Sequence, residues 1–312
     1  MKAYFGPMEG VTTAQFRRVH ASMFPGADRY YMPFISPTSD RRFTARELRE
    51  IAPENNAGVC AVPQILTKSA EDFLWAAGGL AGMGYREVDL NLGCPSATVT
   101  AKGKGAGLLR TPDALQRMLD EIFSRAEIPV SVKTRIGYRD PGEWEALLAL
   151  YARYPVAELI IHCRTRQEMY AGEPHREAFS RAREVLSCAL CYNGNLFTPE
   201  DVSAFGSVEP GTAAVMLGRG AACDPALFRR LRGGSAATRE ELRAFHDTLS
   251  EAYRSEYGRL NAMRRMKELW NYLLSRFADT EAVRKTMMRT KDTDVFDGCV
   301  ERIFGECPLK DE

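Results

Sequence analysis

Eight short β-rich runs, each followed by a stretch long enough for a helix, set the tightest limit on how this chain can fold. They are Tyr4–Glu9, Tyr30–Ser36, Gly58–Leu66, Glu87–Gly93, Val130–Gly137, Leu159–Thr165, Ala189–Asn195 and Ala213–Gly220. Most are continuous apolar runs without clean alternation, the pattern of strands covered by helices on both faces. The intervening segments carry helical spacing. Leu115, Met118, Leu119 and Ile122 form one stripe, and Trp144, Leu147, Leu148 and Tyr151 another. Eight β-then-α units in about 225 residues predict an α/β fold, a (β/α)8 TIM barrel.

The barrel is expected to end near residue 232. Arg232–Ala237 reads as a linker, and Thr238-Arg239-Glu240-Glu241 is a capping-box pattern that starts a helix. Leu242, Phe245, Leu249 and Tyr253 give that helix its apolar face. Met263, Met266, Trp270, Leu273 and Phe277 do the same for a second helix, and shorter helices are expected over Glu281–Arg289 and Thr293–Phe304. The predicted organisation is a barrel domain over 1–232 and a small all-helical domain over 238–312.

Composition narrows the class. Hydrophobic residues make up 45% and charged residues 27% of the 312 positions, which fits a folded soluble protein and excludes a disordered one. No apolar run is long enough to span a bilayer, and the N-terminus lacks a signal-peptide pattern, so a cytoplasmic location and no membrane partner are expected. The eight cysteines are then mostly reduced. Cys188 and Cys191 form one C-x2-C pair, but no second pair completes a zinc site. They read as small residues on and beside a buried strand, and no metal is expected. The net charge of +1 leaves nucleic-acid binding undecided, because distribution matters more than the sum.

In a TIM barrel the active site lies at the C-terminal ends of the strands. Polar and glycine residues cluster at those ends: Met8-Glu9-Gly10 at the first, Gln64 near the third, and Asn91-Leu92-Gly93-Cys94-Pro95 at the fourth. Lys133-Thr134-Arg135 lies in the fifth, His162–Arg166 ends the sixth, Asn193-Gly194-Asn195 the seventh and Gly218-Arg219-Gly220 the eighth. Any one could be structural, but seven at matching ends are hard to explain as packing. The last two clusters suggest a phosphate site, with glycines allowing close backbone approach and Arg219 adding a fixed charge.

These motifs, in this order, resemble the tRNA-dihydrouridine synthase family. The resemblance rests on Pro7-Met8-Glu9-Gly10-Val11-Thr12, Asp89–Pro95, the glycine-rich Lys102–Gly107 loop, and Val132-Lys133-Thr134-Arg135. It continues through His162–Arg166 with Tyr170-Ala171-Gly172, then Asn193-Gly194-Asn195 and Gly218-Arg219-Gly220. Cys163 stands where a glycine is common, and Asn195 where glycine or other polar residues also occur. The resemblance implies an FMN-binding catalytic barrel and a tRNA-binding helical tail. It implies reduction of the C5–C6 bond of particular tRNA uridines, with NADPH as reductant, hydride passing from flavin to C6 and a proton to C5.

On that resemblance Cys94 is the candidate proton donor, since a thiol with a pKa of about 8.5 is mostly protonated at neutral pH. Lys133 is expected near the flavin N1 and C2 carbonyl, His162 against the flavin region, and Gln64 with Pro7, Met8 and Glu9 along the isoalloxazine. Asn193, Gly194, Asn195, Gly218 and Arg219 are the other expected cofactor contacts. Asn91 is placed to bind the uracil edge; otherwise it caps the strand-end turn. Arg164 and Arg166 are expected to contact flavin phosphate or RNA. The Lys102–Gly107 loop lacks the ending of a nucleotide phosphate loop and reads as a mobile loop near Cys94. From Arg254 to Lys291 there are ten Lys/Arg and four Asp/Glu, a possible RNA surface, and Arg41, Arg42, Arg46 and Arg49 are a second. A monomer is expected. The competing reading is an FMN-dependent TIM-barrel oxidoreductase acting on a free pyrimidine, similar to dihydroorotate dehydrogenase.

Overall fold

The computed structural model describes residues 1–310 except Ser39; the last two positions of the expected helical domain lie outside it. Nine strands form one parallel sheet: β1 (Lys2–Phe5), β2 (Arg29–Tyr31), β3 (Ala61–Val62), β4 (Gln64–Ile65), β5 (Val88–Leu92), β6 (Val130–Gly137), β7 (Glu158–Thr165), β8 (Ala189–Asn193) and β9 (Ala214–Leu217). Their order is β3-β2-β1-β9-β8-β7-β6-β5-β4, a nearly closed barrel with helices outside.

Closure happens at one residue. Pro63 has no N–H to give to a ladder. Before it Val62 pairs with Tyr31 of β2; after it Gln64 pairs with Asp89 of β5. The expected third strand is therefore one stave that changes partners midway, and the barrel has eight staves, as the sequence predicts. The second expected run narrows to Arg29–Tyr31, because Pro33 ends its ladder and only an isolated bridge, Ile35 to Ile65, continues beyond. At strands one and seven the residues expected beyond the observed ends are loop instead, and at strand eight Arg219 and Gly220 begin a short helix, Arg219–Cys223.

Strand alternation sorts the side chains into two populations. Val88, Leu90, Leu92, Val132, Ile136, Leu159, Ile161 and Cys163 join the core between sheet and helices. Tyr4, Tyr31, Val62, Ile160, Cys191, Ala214 and Met216 fill the barrel itself. On the inward face of β5 to β7 stand the buried polar residues Asp89, Asn91, Ser131, Arg135, Glu158, His162 and Arg164.

The C-terminal region is helical. Thr238 makes the expected capping box with Glu241. The span Arg239–Leu273 is broken at Gly258, whose φ of 75° and ψ of 162° are not helical, so it forms two helices as the spacing predicts. Helices Glu281–Arg289 and Thr293–Glu306 follow. The first helix docks on the barrel: the Phe245 ring meets Phe16 and Phe24 at 5.8 and 5.5 Å, and the hydroxyls of Tyr253 and Thr13 are 2.7 Å apart.

Gly220, at the end of β9, lies against the backbone after β8. A Cβ there would sit 2.2 Å from the Leu196 carbonyl oxygen. Gly220→Ala is expected to cost about 1–3 kcal/mol, the usual penalty of overpacking, measured as a lower denaturation midpoint at unchanged slope.

Candidate functional site

A cavity of about 360 Å³ opens at the C-terminal ends of the strands. Its wall brings together Pro7, Met8 and Glu9 after β1, Gln64 from β4, Asn91 and Cys94 from and after β5, Lys133 from β6 and His162 from β7. Asn193, Gly194 and Asn195 come from the end of β8, and Gly218 and Arg219 from the end of β9. Every residue that the sequence singles out for the site lies on this wall except Arg164 and Arg166.

Asn91 organises the turn that carries Cys94. Its Oδ1 accepts the backbone N–H groups of Gly93 at 3.1 Å and Cys94 at 2.9 Å, which is the capping contact. Its Nδ2 donates to Gln64 Oε1 at 2.6 Å, and Gln64 Nε2 donates to Asp89 Oδ2 at 2.7 Å. Asp89 also accepts from Ser131 Oγ at 3.1 Å. The Lys102–Gly107 loop packs on Cys94, with Ala106 N donating to the Cys94 carbonyl at 3.1 Å and Lys104 Nζ reaching Ser36 Oγ at 2.9 Å.

The wall is cationic, and its titratable side chains are buried. Burial lowers the Lys133 pKa to about 8, with nearby Arg135 acting in the same direction; its ammonium donates to Asn193 Oδ1 at 3.1 Å. Burial, joined by Arg135, Lys133, Arg164 and Arg219, holds His162 well below its ordinary value, so the ring is neutral. Burial pushes the Cys94 thiol up. Burial also lifts Asp89 to about 7 despite its hydrogen bonds.

Arg164 is buried away from the cavity. It donates through Nε to the Ala171 carbonyl at 3.0 Å, through Nη2 to the Gly172 carbonyl, and through Nη1 to His162 Nε2 at 3.3 Å. Arg166 donates to the Pro95 carbonyl at 3.1 Å and stacks over Tyr138. Both brace the loops around the pocket. Arg135 and Tyr170, which the sequence places only within motifs, and Tyr272, which it does not single out, also line it. Arg135 holds the carbonyls of Gly93, Thr165 and Met169 at 2.9, 2.8 and 2.8 Å. Its i, i+2 spacing from Lys133 is the available signal; Tyr272, from the helical region, has none.

One end of the cavity suits an anion. Arg219 donates to Asn195 Oδ1 at 3.1 Å and lies between the rings of Tyr170 and Phe197, at 4.8 and 5.4 Å. All three partners are neutral, so its charge is left for a ligand. At Gly194 a Cβ would meet the Tyr192 hydroxyl at 2.9 Å. No group of three metal-ligating side chains occurs among the described residues, nor any helix long and apolar enough to cross a membrane.

Comparison with known proteins agrees with the barrel fold. Of solved structures, morphinone reductase superposes with a TM-score of 0.54 at 13% identity, covering 76% of this chain and 87% of that one. Among sequences, a probable tRNA-dihydrouridine synthase of Rhodobacter capsulatus is 30% identical over 311 residues, covering 96% of this chain and 94% of that protein. The probable tRNA-dihydrouridine synthase 2 of Bacillus subtilis is 29% identical over 299 residues, covering 92% and 89%. A tRNA-dihydrouridine(16) synthase of Ralstonia nicotianae is 32% identical over 238 residues, covering 74% and 72%. The dihydrouridine synthase family matches residues 4–306, and with that match spanning barrel and helical region alike, the chain belongs to this family of enzymes.

Proposed function

We propose that this chain is a tRNA-dihydrouridine synthase that binds FMN in the barrel cavity, uses NADPH, and reduces the C5–C6 bond of particular uridines. The observation that carries this reading is the convergence of Cys94, Asn91 and Lys133 on one wall of a cavity whose other end offers Arg219 to an anion. The residues present fit FMN: Arg219 with the 193–195 and 218–220 segments suits its phosphate, and Met8, Gln64, Lys133 and His162 suit its ring system. Bound there, FMN supplies the hydride for uracil C6. Lys133 stabilises negative charge nearby, its ammonium form prevailing below about pH 8. Asn91 orients the base through its remaining amide N–H. Cys94 holds the proton for C5, because burial keeps its thiol protonated at neutral pH.

The barrel, 1–232, is the catalytic domain in this reading, and the helical region from 238 onward binds tRNA. Ion pairs decide which cations are available. Arg41 pairs with Glu71, Arg46 with Glu9 and Arg49 with Glu256, which blunts the surface after β2. Arg254 and Arg259 pair with Asp297. By contrast Arg264, Lys267, Arg284, Lys285 and Arg289 converge, with Glu268 and Glu281, on a groove of about 770 Å³. Such a groove suits phosphates, and an enzyme of free pyrimidines has no need of it. A target uridine must leave its stack to reach the cavity.

Unmodified tRNA incubated with protein, FMN and NADPH is expected to yield dihydrouridine by nucleoside mass spectrometry. Cys94→Ala should slow this by about 10²–10⁴-fold, the range for loss of a positioned acid. Equal rates would remove Cys94 from the reaction, and no product from flavin-loaded wild type would remove the activity. Reversing Arg284 and Lys285 to Glu should weaken tRNA binding and flatten its salt dependence, by about one unit of slope for every phosphate no longer engaged, while FMN affinity stays the same. Unchanged tRNA affinity would move the RNA surface elsewhere.

A further inference from the structure

The hydrogen bonds behind the cavity wall run in one direction. The backbone N–H groups of Gly93 and Cys94 can only donate, so the atom of Asn91 that meets them is its oxygen, with both lone pairs engaged. Asn91 therefore turns its NH2 to Gln64. Gln64 must meet it with oxygen, at 2.6 Å, and so turns its own NH2 to residue 89. Residue 89 must accept. Asp89 does so at 2.7 Å, is fully buried and does not line the cavity.

We infer that Asp89 is a positioning residue: it terminates this chain as an obligatory acceptor, locks the amides of Gln64 and Asn91 in one orientation, and so makes the wall beside Cys94 a surface of hydrogen-bond donors. Two other side chains of that wall agree. Lys133 can only donate. His162 is neutral, and its Nε2 faces Arg164, which has no acceptor, so the ring proton sits on Nδ1 as a further donor. The ligand edge that fits is made of carbonyl oxygens or ring nitrogens with lone pairs. Asn91 can serve a pyrimidine carbonyl but not its imide N–H, because its own oxygen is spent on the turn. This refines the proposed function and rests on it for the identity of the ligand; the direction of the chain does not.

The test reverses the chain. Asn91→Asp keeps one oxygen for the turn but faces Gln64 with its second oxygen, an acceptor. Gln64 must then flip, and its oxygen meets the Asp89 carboxylate. Adding Asp89→Asn supplies an NH2 at that end, so the hydrogen bonds can all re-form in the opposite direction. Thermal unfolding of the protein without ligand is expected to show N91D well below wild type and N91D/D89N recovering at least about half of that difference, a coupling found only between interacting residues. No recovery, or a double variant less stable than N91D, would overturn the inference. The second arm is FMN titration followed by flavin fluorescence. The recovered double variant should bind about tenfold or more weakly than wild type, as expected when a donor facing the ligand becomes an acceptor. A recovered variant that binds FMN like wild type would overturn the donor wall. Failure of wild type to bind FMN would overturn the functional reading, while the unfolding arm still decides the role of Asp89.

Discussion

The hydrogen bond from Gln64 to the buried carboxylate of Asp89 is where fold and site meet. It joins β4 to β5 just after the chain passes Pro63 and changes partners, so it lies at the seam that closes the barrel. A buried carboxylate is costly unless its lone pairs are used. Here they are used by Gln64 and Ser131, with Lys133 adding favourable charge, yet burial still lifts Asp89 to about 7. The acceptor it provides fixes the amides that hold the Cys94 turn.

Around that seam the interior is unevenly charged. Lys133, Arg135 and Arg164 all face inward, and burial depresses each of them, Lys133 to about 8 and Arg135 to about 10. Mutual repulsion adds to the effect, and burial together with these cations keeps His162 neutral. Such a site is destabilised by its own cations until an anion arrives. In the proposed function, an anionic cofactor held by Arg219 and Lys133 would relieve that repulsion. This is the physical link between a strained, cationic pocket and a cofactor that becomes more negative on reduction.

Much of this is legible in the sequence because the barrel imposes a simple rule: strand ends carry the chemistry. The eight runs, the capping box at Thr238 and the break between the tail helices all follow from local patterns. What escapes a sequence reading has non-local causes. Asp89 enters the sequence reading only as the first residue of the Asp89–Pro95 motif, with no role of its own, although its i, i+2 spacing from Asn91 puts both on the inward face. Arg164 shares that face, but whether an inward arginine meets ligand or backbone depends on the path of the 166–175 loop. Tyr272 reaches the cavity only because the tail folds back over the barrel, and no local pattern encodes that. The split of the third strand at Pro63 is visible as a residue but not as a seam, since strand pairing is decided by the whole sheet.

In the proposed function, the buried cation of Lys133 stabilises negative charge on the cofactor in this cavity. The midpoint potential of bound FMN, measured spectroelectrochemically in wild type and Lys133→Met, tests it most directly. The expected result is a potential lower in Lys133→Met by about 30 mV or more, equivalent to about 1.4 kcal/mol for a two-electron couple. An equal or higher potential in the variant, with FMN still bound, would contradict it.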